Sequence, residues 1–294
     1  MSVIKISLKV LLAYLLSVSI SVSSHESKLY VVTSFTILED LVRNLGGDHV
    51  SIVNLVPRNS DAHIYSPKPS DSIAVANADL VIFNGLGFEG WITRLLEKND
   101  TKTRHVVASE GINVLYSKGE TDPHAWQSFK AIRIYTRNIT QALSEMVPQH
   151  AGEFINNRND YLHHLDELET YLRTQLDKIA VSDRVVVTSH DAFHYLGREL
   201  DIEFIAPIGL SLDAEASAQD VAIVIDQIRE RNVKALFVEN INNPKLLQMI
   251  SDETGISIGG SLYSDALSEA RGPAATYLNL MRHNVGSLVE AFKP

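Results

Sequence analysis

Hydrophobic and polar residues follow one another along the chain in a pattern that predicts strands and helices in turn. Short apolar runs, typical of buried strands, precede segments with apolar residues every three or four positions, the spacing of a helix with one buried face. The strands predicted in the first half of the chain are 28–35, 49–57, 79–84 and 104–109. Because strands and helices alternate, this half is predicted to be a parallel α/β domain.

A helical region interrupts this alternation in the middle of the chain. Residues 128–146 carry a helical pattern, Pro148 breaks it, and a second helix is predicted from about residue 150 to 178. At 1.5 Å per residue the second helix is roughly 40 Å long, which suits a connection between two lobes.

The alternation of strands and helices then returns. The strands predicted in the second half are 184–189, 202–208, 234–240 and 257–264. The predicted fold class is therefore α/β, with two parallel-sheet lobes joined by one long rigid helix. The N-terminal lobe is assigned to 25–149, the linking helix to 150–180 and the C-terminal lobe to 181–294.

The first 24 residues have the layout of a secretory signal peptide. Two lysines precede an apolar run at 11–20, and Val22 and Ser24 are small residues at −3 and −1 of a cut before His25. The run is shorter than the roughly 18 apolar residues that span a bilayer. We therefore expect cleavage and export to the periplasm. No cysteine stands at the cleavage site to carry a lipid, which favours a protein free in the periplasm.

Composition limits the classes of partner. The formal net charge is −10 and the sequence has no cysteine, so no disulfide can form. An acidic surface argues against nucleic acid and anionic lipid as partners. A soluble monomer with an ordinary packed core is expected.

Polar side chains follow several of the predicted strands, where open α/β sheets bind their ligands. His190 comes directly after the strand at 184–189, and Asp265 follows the last strand. His63 lies in the loop after the second strand, and His124 lies in the turn-rich stretch ETDPHAWQS. Each half of the chain thus supplies two candidate ligands. Three imidazoles and one carboxylate make four ligands, the number that zinc prefers.

His194 is a rival to His190 on spacing alone. The two histidines are four residues apart, so in a helix they would share one face and could chelate together. Of the remaining histidines, His163 and His164 are expected to face solvent on the long helix. The others, among them His49 and His150, are interpreted as having no partner at a useful spacing.

Five segments, in order, resemble motifs of the metal-binding periplasmic proteins of ABC transporters, the cluster A-I group that takes up zinc or manganese. They are SDAHIYSPKPSD, ADLVIFNGLGFEGW, TDPHAWQS, VVVTSHDAFHYL and GGSLYSDALS. The resemblance runs from about Lys28 to the C-terminus. It implies two α/β lobes joined by a long helix, with the metal buried in the cleft between them. It also implies a carrier without catalytic or cofactor-binding residues, which delivers a divalent metal ion to a membrane permease.

The resemblance assigns the ligands residue by residue. The histidine of the D-x-H-x-Y motif falls on His63, that of the DPH motif on His124, and the aspartate of the L-Y-S-D motif on Asp265. The third ligand, which follows a serine at the end of the first strand of the second lobe, falls on His190. His194 is then expected one turn into the next helix and outside the site.

Zinc is the expected metal and manganese the alternative. Three imidazoles favour zinc, because manganese prefers oxygen ligands. The chain departs from many zinc-binding members of the group, however. It lacks their histidine-rich loop before the second ligand, and it cannot form their disulfide in the second lobe.

Two other functions fit part of the pattern. Gly85, Gly87 and Gly90 form G-x-G-x-x-G after a strand, with Glu110 further on, as in dinucleotide-binding sites. Glu89 lies inside that loop, where its charge would repel a pyrophosphate. A zinc-dependent hydrolase needs an open metal position for water, which four protein ligands would close. The hydrolase alternative gains support if Asp265 is not a ligand.

Overall fold

The computed structural model describes residues 27–98, 103–212 and 215–293. The predicted signal peptide lies outside the described residues. Within them, no helix is long and apolar enough to cross a membrane.

The first lobe is built on a four-stranded parallel sheet with helices packed on it. The strands are β1 Leu29–Thr33, β2 Val50–Asn54, β3 Leu80–Phe83 and β4 Arg104–Val107, in the order β2-β1-β3-β4. The helices between them are α1 Thr36–Gly46, α2 Pro69–Asn77 and α3 Ile92–Lys98. The order of the strands reverses between β1 and β3, and such a switch point leaves a crevice at the carboxyl ends of the strands.

A small hairpin and two helices lead out of this lobe. The hairpin consists of β5 Tyr116–Ser117 and β6 Glu120–Thr121, and the sequence pattern did not predict it. Ser128 caps the start of helix α4 Phe129–Met146, and its hydroxyl accepts a hydrogen bond from the backbone N–H of Ala131 at 3.1 Å. The long helix α5 Ala151–Leu176 follows the turn that contains Pro148.

The second lobe repeats the plan of the first. Its strands are β7 Val185–Thr188, β8 Glu203–Ile205, β9 Ala235–Glu239 and β10 Ile258–Leu262, parallel and in the order β10-β9-β7-β8. Its helices are α6 His194–Leu200, α7 Ala218–Glu230, α8 Lys245–Thr254 and α9 Tyr277–Phe292. The switch point here lies between β7 and β9. The fold class predicted from the sequence is thus confirmed.

One hydrophobic core extends through both lobes. It contains the interior of the first lobe, the buried faces of α4, α5 and α9, and one face of the second sheet. A smaller core lies on the other face of the second sheet, under α7 and α8. In α5 the buried stripe runs from Phe154 to Leu176, whereas Tyr171 is 57% exposed.

Candidate metal centre

His63 is held by the loop that follows β2. The Asp61 carboxylate accepts a hydrogen bond from the His63 backbone N–H at 2.7 Å. The Trp91 indole N–H donates to the Ala62 carbonyl at 2.8 Å, and the Phe88 ring packs edge-on against the His63 ring at 4.5 Å. The imidazole is therefore fixed in direction, with its side chain only 6% exposed.

His124 stands just before a short 3-10 turn, and Asp122 holds it in two ways. Asp122 Oδ1 accepts from the His124 backbone N–H at 2.9 Å and lies 2.8 Å from the ring Nδ1. A carboxylate at Nδ1 fixes the tautomer in which Nδ1 carries the hydrogen. The lone pair of Nε2 is then free to bind a metal.

His190 lies at the carboxyl end of β7, at the switch point of the second sheet. Glu239, at the end of the adjacent β9, accepts from the His190 backbone N–H at 2.9 Å. The other Glu239 oxygen is 2.6 Å from the ring Nδ1. This carboxylate stands behind the ring, whose Nε2 lies 3.5 Å from Asp265.

Asp265 belongs to the second lobe by sequence, but its loop is fastened to the first. The Ser264 carbonyl accepts from the Trp126 indole at 2.8 Å and from the Gln127 amide at 2.7 Å. The Leu267 backbone N–H donates to Thr36 Oγ1 at 2.8 Å. These contacts place the Asp265 carboxylate beside the two histidines of the first lobe.

The four side chains that the sequence singled out converge in the structure. His63 Nε2 lies 3.3 Å from His124 Nε2, and the Asp265 carboxylate lies 3.7 Å from each of these atoms and 3.5 Å from His190 Nε2. Ligands at about 2.0–2.1 Å from a tetrahedral metal stand about 3.3 Å apart. The spacing therefore matches a cavity that could hold one small cation.

Burial leaves several polar atoms of this group without hydrogen-bond partners. Within the described part of the chain, His190 Nε2 and both Asp265 carboxylate oxygens are buried and make no hydrogen bond. Leaving such atoms unpaired costs about 1–3 kcal/mol each, more for charged groups. A cation between them would satisfy all three, so the residues present fit a metal ion.

The protonation states of the side chains at this site favour the binding of a cation. Burial lowers the pKa of His63 to about 3, so this imidazole is neutral at physiological pH. Burial alone would raise the pKa of Asp265, but His190 and His124 outweigh it and lower that pKa to about 2. Burial also opposes protonation of His190, yet the Glu239 and Asp265 carboxylates raise its pKa well above the usual value. A metal would therefore replace a proton at His190.

His194 lies outside this group of donor atoms. Helix α6 begins at His194, so this histidine is the first helical residue and does not lie one turn into the helix as the sequence suggested. The chain after β7 stays extended. His190 pairs with Ile208, and the Asp191 N–H donates to the Gly209 carbonyl at 3.2 Å. The ring of His194 faces carboxylates instead, with Nδ1 at 3.2 Å from Asp122 and Nε2 at 2.8 Å from Asp191.

The glycine loop after β3 is filled by its own acidic side chain. Glu89 is buried and accepts hydrogen bonds from Ser34 Oγ at 2.5 Å, from the Asn84 N–H at 2.7 Å and from the Gly85 N–H at 3.2 Å. The backbone N–H groups that would cradle a phosphate are thus already occupied by a carboxylate. This arrangement excludes the dinucleotide interpretation and gives the loop a structural role.

Sequence reasoning missed the two carboxylates that stand behind the histidine rings. Asp122 could have been inferred from its place two residues before His124, and Glu239 from its place at the end of a strand. The interpretation of His49 and His150 as lacking partners was wrong. Their rings stack at 3.7 Å between centroids, and both contact Glu153.

Two parallel-sheet lobes around a set of three imidazoles and one carboxylate define the class of periplasmic metal-binding proteins that serve ABC transporters. The chain belongs to the family described as ZnuA, zinc-uptake complex component A, periplasmic, which matches residues 31–291. The resemblance seen in the sequence is confirmed. Members of this class bind a transported substrate and are not enzymes, so the expectation of no catalytic role is confirmed as well.

Relatives of the chain are named for different metals. It is 34% identical over 263 residues to the manganese-binding lipoprotein MntA of Halalkalibacterium halodurans, covering 89% of this chain and 87% of that protein. It is 33% identical to the iron-binding protein YfeA of Yersinia pestis, covering 92% and 88%. The solved structure of the periplasmic zinc-binding protein TroA of Treponema pallidum matches with a TM-score of 0.87 at 30% identity, covering 91% of this chain and all of that one.

Proposed function

We propose that His63, His124, His190 and Asp265 bind one divalent transition metal ion, which the protein captures in the periplasm and delivers to an ABC permease. The observation that carries this proposal is the convergence of three Nε2 atoms and a carboxylate at 3.3–3.7 Å in a buried cavity. The family membership supports the role in transport.

An open cleft connects this cavity to solvent. Its volume is about 620 Å³, and His63 lines it together with Leu86, Tyr116 and Glu120 of the first lobe and Leu210 of the second. Metal would enter here, reach His63 first, and then be enclosed by the three fully buried ligands. A site closed by four protein ligands leaves no position for a reacting water, which suits carriage rather than hydrolysis.

We propose zinc as the preferred metal. Imidazole is a good ligand for zinc, and three imidazoles with one carboxylate complete its usual four-coordinate shell. The Asp122 and Glu239 carboxylates behind two of these rings support zinc further, because they increase the basicity of the imidazole ligands.

Manganese is the second candidate, and a specific feature of Asp265 favours it. One oxygen of this carboxylate faces His124, and the other faces His63 and His190. Binding through both oxygens would raise the coordination number and the share of oxygen ligands, as manganese prefers. Relatives named for manganese support this candidate.

Metal analysis followed by competition titration tests the proposal. Protein purified without added metal is analysed for its metal content, stripped, and titrated with Zn²⁺ and Mn²⁺ against a chelator of known affinity. His190→Ala is expected to lose tight binding, whereas the control His105→Ala, which removes an exposed imidazole of the first lobe, keeps it. Tight binding that survives in His190→Ala would contradict the assigned site.

We propose further that the protein acts outside the cytoplasm as a free monomer. Relatives such as MntA are named lipoproteins, whereas this sequence has no cysteine. Cell fractionation with and without a high-salt wash, and the mass of the purified protein in solution, test the expectation of a free monomeric carrier.

A further inference from the structure

A second group of metal-binding side chains lies in the first lobe, at the edge of the sheet away from the lobe interface. His49 immediately precedes β2, so it stands at the amino end of that strand, whereas His63 follows the carboxyl end. The five residues of β2 put about 13 Å between the two edges at 3.3 Å per residue. His150 and Glu153, at the start of α5, complete the group.

The donor atoms of this group are already close together. His49 Nε2 lies 2.9 Å from one oxygen of Glu153, and His150 Nδ1 lies 2.9 Å from the other. One ligand atom from each of the three residues lies within 4.8 Å of the others. The spacing is near the 3.3 Å or so between neighbouring ligands of a tetrahedral metal.

The two rings are held by the surrounding structure rather than being loose on the surface. They stack on each other, and both pack against the buried ring of Phe154 at 5.8 and 6.5 Å between centroids. The imidazoles are only 26% and 18% exposed, while Glu153 is 60% exposed. Nearby, the Asn157 amide donates to the Leu45 carbonyl at 3.0 Å and fixes α5 against the end of α1.

We propose that His49, His150 and Glu153 form a second metal site that takes a borderline divalent cation such as Zn²⁺. Two imidazole nitrogens and one carboxylate oxygen suit zinc, copper or nickel better than manganese, magnesium or calcium. Hydrogen bonds from both histidines lower the pKa of Glu153, so this carboxylate is ionised and can bind. Three protein ligands leave a coordination position for water, as expected for a site at the surface.

Occupation of this site would join two distant parts of the chain. His49 ends the turn before β2, and His150 ends the turn before α5, so a bound ion would clamp the first sheet to the helix that links the lobes. The inference does not depend on the proposed interlobe site, because the two sites share no residue and lie at opposite edges of the sheet.

Counting bound Zn²⁺ by equilibrium dialysis tests the proposal. The wild-type protein is expected to bind one tight and one weaker equivalent. The double variant His49→Gln/His150→Gln keeps the tight equivalent and loses affinity for the weaker one by at least about tenfold. A single bound equivalent in the wild type, or a weaker equivalent unchanged in the double variant, would overturn the proposal.

A matched control is available on the same helix. His163 and His164 flank Glu167 at 3.4 and 3.5 Å, but their side chains are 69% and 62% exposed. They are not among the groups with converging donor atoms in the described residues. His163→Gln/His164→Gln removes the same number of imidazoles and is expected to keep both equivalents. Loss of the weaker equivalent in this variant would place the site elsewhere and refute the assignment.

A second measurement does not rely on the folding of the double variant. In His63→Ala/His190→Ala, where the interlobe site is disabled, one equivalent of Cu²⁺ is expected to give an electron paramagnetic resonance spectrum with coupling to two imidazole nitrogens. A spectrum without nitrogen coupling would refute the second site. Tight Zn²⁺ binding that persists in the same variant would instead refute the interlobe site, so the two failures are distinguishable.

Discussion

The ring of His194, in the second lobe, lies 3.2 Å from the Asp122 carboxylate of the first lobe. The other oxygen of the same carboxylate holds the ring of His124. His194, which is not a candidate ligand, thus helps to orient the candidate ligand His124 through Asp122, across the lobe interface. The Asp122 and Asp191 carboxylates raise the pKa of His194 to about 10, so His194 is cationic at neutral pH and attracts Asp122.

Replacing His194 should therefore weaken metal binding without abolishing it. In His194→Gln, Asp122 keeps its contact with His124 but loses the cation that orients it. Loss of such support typically lowers metal affinity 10–100-fold. Competition titration is expected to show this moderate loss, and His190→Ala a far larger one. If the larger loss occurs in His194→Gln, the metal site has been assigned to the wrong histidine.

Metal binding should release a proton at neutral pH. The Glu239 and Asp265 carboxylates raise the pKa of His190 in the metal-free protein, whereas His63 is already neutral. A metal binds only the neutral imidazole, so affinity rises as pH rises and levels off above the pKa of His190. Calorimetric titration in two buffers with different ionisation enthalpies measures the released protons. Identical heats in both buffers would contradict this expectation.

Glu89 should be essential for the stability of the first lobe. Burial raises its pKa to about 7, although hydrogen bonds from Ser34, Asn84 and Gly85 oppose that rise. Glu89→Ala leaves these buried donors without an acceptor and is expected to cost at least about 3 kcal/mol in the free energy of unfolding. Urea denaturation measures the loss. Arg94→Ala, a change at an exposed position on the neighbouring helix, serves as the control and should stay within about 0.5 kcal/mol of the wild type.

The lobes should move little when metal binds. Arg58, in the first lobe, donates to the carbonyls of Ser268 and Ala275 at 2.6 and 3.0 Å, and the core is continuous across the interface. Helix α5 has no proline, and its single glycine, Gly152, lies in its first turn, so its interior has no hinge. Scattering curves of the metal-free and loaded protein are expected to superimpose closely. A large fall in the radius of gyration on loading would show that the lobes do close.

The sequence predicted most of the regular elements from local signals. It indicated the four candidate ligands through their places near strand ends together with the motifs that resemble the metal-binding family. Apolar periodicity marks the strands and helices, and residues directly after strands are necessarily near a sheet edge. The hairpin β5–β6 was missed because two-residue strands have no periodicity. The pair formed by His49 and His150 was missed because it depends on how α5 lies against the turn before β2, and no local pattern encodes that.

His190→Glu tests how the ligand set selects the metal. The change replaces one of three nitrogen donors by oxygen and should keep a four-ligand site, because Glu239 and the strand end still hold the backbone at this position. The ratio of Zn²⁺ to Mn²⁺ affinity is then expected to fall, since manganese prefers oxygen ligands. The new carboxylate would also lie beside Glu239 and Asp265, which should raise its pKa, so protons compete with either metal as pH falls. Competition titration of both metals against the wild type separates the two effects. Proton competition alone lowers both affinities equally, whereas donor selection changes their ratio. An unchanged ratio would mean that the shape of the cavity, and not the third imidazole, determines which metal is preferred.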